Sequence, residues 1–240
     1  MSIPLTIGER PNFAGLVRAE PMFLRGWTER GSGWLVSLCV GTILAGAGLY
    51  GAAMGSWRDP LQAGYVAVKF PVIVLLTAAG NALLNAMLAP LLGLNISLRQ
   101  SFLAILVSFA IAAAILGSFS PLIAFLIWNA PPISEAVRSH SSAHSLILLS
   151  NVIAIAFAGV TANLRLEGLL RELSGNKSVA RRVLLAWLAV NLFLGSQLSW
   201  ICRPFIGSPN LPVEFLRSDA FDGSFYESVF RALLRILNSP

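Results

Sequence analysis

Five stretches of this chain are apolar for long enough to cross a lipid bilayer, which takes about 20 residues of helix. They run from Trp34 to about Trp57, from about Gly64 to Leu94, from about Ser101 to Trp128, from about His144 to Leu164, and from about Val183 to Ile201. Their apolar residues are continuous and do not alternate with polar ones, so the pattern predicts helices and not barrel strands. Tryptophans bracket the first stretch, which suits the two membrane interfaces. The second and third are overlong. Roughly 28 to 31 residues at 1.5 Å each reach more than about 40 Å, against a hydrocarbon core of about 30 Å. Helix breakers interrupt both, Pro71 and Pro90 in the second and Gly117 and Pro121 in the third. Tilted or kinked helices are therefore expected, or a re-entrant turn that would change the count.

The two ends are patterned differently. Residues 1–33 mix Pro4, Pro11 and Pro21 with arginines and with Leu16, Leu24 and Trp27. That mixture predicts a polar, interfacial N-terminal segment, and it lacks the basic-then-apolar order of a cleaved leader. Residues 202–240 start irregularly, with Pro204, Pro209 and Pro212. Ser224, followed three residues later by Glu227, then predicts a capped helix. On it Phe225, Val229, Phe230, Leu233, Leu234 and Leu237 gather on one side, opposite Arg231, Arg235 and Asn238. Such an amphipathic helix lies in the interface or packs onto the bundle. The expected architecture is thus all-α: a polytopic transmembrane bundle of about five spans in 34–201, framed by two surface-lying ends.

Composition agrees. The chain is 56% hydrophobic and 12% charged, with mean hydropathy +0.74; a soluble domain carries about 25% charged residues. The net charge is +6. The basic residues flank the spans, which points to topology and anionic lipid head groups as their partners, and away from nucleic acid. With the N-terminus inside, the inner segments hold Arg10, Arg18, Arg25, Arg30, Arg99, Arg165, Arg171, Lys177, Arg181 and Arg182. The outer loops hold only Arg58, Lys69 and Arg138, with four more arginines in the tail. A cytoplasmic N-terminus and a C-terminus on the opposite side follow from that bias.

Candidate chemistry is sparse. The spans carry no Asp or Glu, the usual proton and cation carriers of transporters. Lys69 falls near a span end and is expected to snorkel to the interface. Asn81 and Asn85 share one helix face, and Asn151, Asn191 and Gln197 lie in the fourth and fifth spans, with Ser118 and Ser120 in the third. These groups need partners in hydrocarbon, so a shared intramembrane polar cluster is expected, serving interhelical packing or a solute pathway. Gly51 and Gly55 form a G-x-x-x-G, a close-packing signal within or between chains. His140 and His144, with Glu135 nearby, have the spacing of paired metal ligands but lack the acid of H-E-x-x-H, and Ser141 or Ser142 reads better as a helix cap. Cys39 and Cys202 form no C-x-x-C. No nucleophile elbow or phosphate loop occurs, so neither an enzyme, a metal nor a cofactor is expected.

The stretch Leu91-Leu-Gly-Leu-Asn-Ile-Ser-Leu-Arg-Gln-Ser-Phe, entering the third span, is similar to the matching segment of bacterial Yip1-like proteins. The polar N-terminus and five close-set spans resemble the Yip1-type membrane family as well. That resemblance implies a membrane-organising role without catalysis, and the chain is expected in a bacterial inner membrane. Two functions are therefore open. One is a scaffold or accessory subunit with a protein partner or a second copy. The other is a channel or facilitator for a small solute or ion.

Overall fold

The computed structural model describes residues 11–18, 20–30, 33–132, 143–207 and 212–237. Among these residues the chain is all-helical, with five helices long and apolar enough to cross a membrane. Two short helices, α1 (Phe13–Arg18) and α2 (Pro21–Arg30), precede them. The five long ones are α3 (Gly33–Gly55), α4 (Pro60–Leu91), α5 (Leu98–Trp128), α6 (Ala143–Ser174) and α7 (Lys177–Ile201). A final helix, α8 (Phe225–Leu237), closes the described chain. The long helices run alternately up and down, so the bundle has an N-terminal face, beside α1 and α2, and a C-terminal face, where α7 ends.

Local chemistry sets the helix ends. Asp59 accepts a 2.7 Å bond from Leu61 N, and Pro60, which has no N–H to satisfy, opens α4. Ser97 and Gln100 form a reciprocal capping box on α5. Asn176 accepts from the amides of Ser178 and Val179 to start α7. The two long helices that contain internal prolines stay helical through Pro71 and Pro121, and neither holds a re-entrant turn. At 32 residues α4 extends about 48 Å, so it tilts or projects beyond the hydrocarbon.

Lipid tails are as apolar as leucine, so in a bilayer helices associate through packing and polar contacts and not through exclusion from water. The centre of this bundle shows what that requires. α3 lies between α4 and α5 and touches both along much of its length. A Cβ at Gly46 would sit 2.2 Å from the Ala113 carbonyl oxygen, and one at Gly117 would sit 2.8 Å from Gly46 Cα. On the opposite side of α3, Gly51 and Gly55 approach the Val66 and Gln62 carbonyl oxygens, where a Cβ would lie at 2.5 and 2.8 Å. The G-x-x-x-G thus packs α3 on α4 within the chain. α6 packs on α5, and α7 lies outside against α4 and α6.

At the N-terminal face α1 and α2 pack on α5 and α6. Leu16, Leu24 and Trp27 are buried there, while Phe13 and Val17 stay exposed. Pro21 is the first residue of α2 and divides the segment into two helices. The side chain of Arg25 donates to Glu172 O at 3.1 Å, tying α2 to α6.

Gly46→Ala is expected to lower stability by about 1–3 kcal/mol or more, because backbone and not a flexible side chain stands in the way. Gly41, with nothing within 4 Å of its added Cβ, should accept Ala with a change inside about 0.5 kcal/mol. Thermal unfolding in detergent, comparing the two variants with the parent, checks this.

Candidate functional site

The buried face of α4 repeats every three to four residues, as one side of a helix must. It carries Gln62, Val66, Lys69, Ile73, Thr77, Asn81 and Asn85. Five of these are polar, and each is at most 3% exposed. A polar stripe of 23 residue steps therefore extends about 35 Å along the helix. Inside a membrane every such group needs a protein partner, and those partners define the site.

At the C-terminal face the partner is the tail. Gln62 Nε2 donates to the carbonyl oxygens of Pro204 (2.9 Å) and Phe205 (3.0 Å). Lys69 Nζ donates to the same Pro204 carbonyl at 3.1 Å and sits 5.1 Å from the centre of the Phe215 ring. Lys69 is 2% exposed. The expectation that it snorkels is therefore corrected: the chain folds back over the ammonium, so carbonyl and ring replace water as its surroundings. Phe70 stacks edge-on with Phe205, and Tyr65 with Phe215, which holds the tail in register. The turn at Gly207 has φ +83°, and a Cβ there would meet Arg58 at 3.1 Å. Cys202 lies beside Lys69. Burial pushes its thiol up, and the lysine charge opposes that shift. Cys39 and Cys202 are both free thiols.

Further along the tail, Arg203 stacks on Trp200 at 3.9 Å and pairs with Asp219 at 3.0 Å. It also donates to the Trp200 carbonyl at 2.8 Å. The tail then returns to α7. Phe225 N donates to Gln197 Oε1 at 3.2 Å, and Tyr226 stacks on Phe193 while its hydroxyl lies 2.7 Å from Ser196 Oγ. Ser224 Oγ accepts from Glu227 N, the first half of the expected cap. On the expected apolar side of α8, Val229, Phe230 and Leu234 are exposed; the side chains of Leu233, Leu237, Arg231, Arg235 and Asn238 lie outside the described residues.

The structure divides the polar residues singled out in the spans among several places. Asn85 Nδ2 donates to Asn81 Oδ1 within α4, and Thr77 on the same stripe lies against Gly195 of α7, its hydroxyl without a hydrogen-bond partner among the described residues. Asn151 Oδ1 accepts from the Tyr50 hydroxyl at 2.8 Å, an α3–α6 bond near the C-terminal face, and its amide nitrogen returns to Ile147 O. Gln197 serves α8. Asn191 lies part-exposed at mid-height on the outer helix α7. Ser118 and Ser120 bond back to their own helix at Ile115 and Leu116. Sequence reasoning missed Gln62 and the burial of Lys69; counting back from Asn81 by threes and fours would have reached both.

His144 rests its ring 5.6 Å from Trp57, whose indole donates to Pro131 O at 3.3 Å. His140 and Glu135 lie outside the described residues. Among the described residues no three His, Cys, Asp or Glu side chains converge as metal ligands.

No family model, no curated protein and no solved structure matches this chain.

Gln62→Leu takes its amide donor from the Phe205 carbonyl and leaves the Pro204 carbonyl to Lys69 alone, a loss of about 1–3 kcal/mol at that contact. The expected result is faster amide exchange and proteolysis within residues 203–217. The transmembrane helices should keep their parent protection.

Proposed function

We propose that this integral membrane protein is a non-enzymatic scaffold or accessory subunit that binds a partner helix along α7. The observation that carries this reading is Asn191. It stands 14 residue steps into a 25-residue helix, about 21 Å from the start and so near mid-membrane. It is part-exposed on the outside of the bundle and makes no hydrogen bond to another described residue. An amide facing hydrocarbon at that depth is costly, and a neighbouring helix that bonds it removes the cost. α7 is also the least buried of the five long helices and the least hydropathic. The partner is a protein helix or a second copy of this chain.

The interior supports the same reading. α3 meets α4 and α5 backbone to backbone, the polar stripe of α4 is buried, and the tail caps the end that carries Lys69. The resemblance to Yip1-type proteins, with their membrane-organising role, fits a bundle of this kind. The orientation that accompanies this reading places the N-terminal face in the cytoplasm, because Arg99, Arg165, Lys177, Arg181 and Arg182 belong to that face.

The facilitator reading has one observation in its favour: the stripe from Gln62 to Asn85 carries polar groups at five positions, interrupted by Val66 and Ile73. It needs that stripe to be wet, and so needs the tail to leave and α7 to move.

Asn191→Leu should weaken association about three- to thirtyfold, the range of about 0.6–2 kcal/mol that one interhelical hydrogen bond contributes in a membrane. Single-molecule counting of subunits in native nanodiscs, or co-purification of the partner, reads this directly. An unchanged stoichiometry would remove α7 as the contact.

A further inference from the structure

Two cavities meet at Arg217, which lines both. One is an apolar groove of about 390 Å³ on the side of the bundle, walled by Met54 of α3, by Leu148, Val152 and Ile155 of α6, and by Phe205 and Ile206 of the tail. Its α6 residues are 47%, 53% and 40% exposed and follow one another at helical spacing, so they share one outward face. From His144 at the mouth to Ile155 the groove covers 11 residue steps, about 16 Å. Half of a hydrocarbon core of about 30 Å is about 15 Å. The groove therefore has the length of one acyl chain from one leaflet, and it starts at the level of the C-terminal face.

The second cavity, about 420 Å³, is polar and lies in the tail itself, among Arg203, Arg217, Asp219, Asp222 and Glu227. Arg203 is committed to Asp219 and to the Trp200 ring and carbonyl. Arg217 and Asp222 have no ion-pair partner among the described residues. A cation without an ion-pair partner among the described residues, at the mouth of an acyl-length groove and with a carboxylate beyond it, repeats the order of charge in a zwitterionic lipid read from its tails outward.

We propose that the two cavities together hold one phospholipid whose head group ends in a primary amine. One acyl chain lies along Leu148, Val152 and Ile155, the phosphate meets Arg217, and the ammonium meets Asp222, with Asp219 and Glu227 adding to the negative potential there. A charge-assisted bond forms at each end of the head group. A glycerol head group offers Asp222 no cation, and a trimethylated amine offers it no N–H donor, so the site discriminates among common phospholipids. The lipid thereby bridges α6 to the tail segment that caps Lys69.

The test is native mass spectrometry of the full-length protein, exchanged into mild detergent with equimolar phosphatidylethanolamine, phosphatidylglycerol and phosphatidylcholine. One phosphatidylethanolamine should be retained, roughly tenfold over either competitor. Arg217→Gln should lower retention of all three roughly tenfold, and Asp222→Asn should erase the preference while leaving a lipid bound. Val152→Trp fills the groove at a surface position, so it should displace the lipid while the melting temperature in lipid-free detergent stays that of the parent. Equal retention of the three lipids by the parent, a preference for phosphatidylglycerol, or retention untouched by Val152→Trp overturns the proposal. So does full competition by free phosphoethanolamine, which would show that the groove contributes nothing.

Discussion

A lysine ammonium buried at membrane depth must be given a partner by the protein, and at the C-terminal face everything is arranged around that demand. Lys69 and Gln62 share the inner side of α4, and the tail lays the Pro204 carbonyl across both. Phe215 covers the ammonium, Phe205 packs on Phe70, and Gly207 makes the turn that lets the chain pass Arg58. The tail is consequently part of the bundle. Its docking positions Arg203 against Trp200, Arg217 between the two cavities, and α8 against α7. The buried charge is thereby tied to two described points of the tail, Pro204 and Phe215.

The same demand operates along the rest of α4, where Thr77, Asn81 and Asn85 extend the buried stripe toward the N-terminal face. Here Asn85 donates to Asn81 and Thr77 lies against α7, while the Thr77 hydroxyl and Asn85 Oδ1 are buried without a hydrogen-bond partner among the described residues. What allows helices to close over them is the absence of side chains at Gly46, Gly51, Gly55 and Gly117, which brings α3 into backbone contact with both neighbours. Close approach maximises dispersion contacts, the main attraction left between helices once lipid replaces water. Polar pairing and glycine packing are therefore two halves of one solution: the first removes a cost, and the second supplies the attraction.

The number and helical nature of the long elements were legible from the sequence, because uninterrupted apolarity over about 20 residues has few other solutions. The pairing of Asn81 with Asn85 was legible too, since residues four apart on a helix touch. Lys69 misled for a physical reason. Hydropathy places a cation near a span end and assumes that water is available there, whereas this chain supplies a carbonyl from a segment more than 130 residues away. Helical spacing from Asn81 places Lys69 on the buried face, but the long-range partner that replaces water there leaves no periodic trace. The division of the amides into separate partnerships, Asn151 with Tyr50 and Gln197 with Phe225, was hidden for the same reason. Gly117 read as a helix breaker, whereas the helix is continuous through it and it packs on Gly46, a contact across two helices that forms no G-x-x-x-G.

The central claim is that the polar interior is closed and is held by the chain itself, with the surface left for partners. Substituted-cysteine accessibility tests it most directly. In a Cys39→Ser, Cys202→Ser background, Asn81→Cys and Asn85→Cys are challenged in sealed membranes with a small hydrophilic thiol reagent from each side, with Lys177→Cys as the reference. A closed interior predicts that 81 and 85 resist modification from both sides, while 177 reacts from one side alone. Rapid modification at 81 or 85 in the folded protein would reveal a water-filled path along α4 and contradict it.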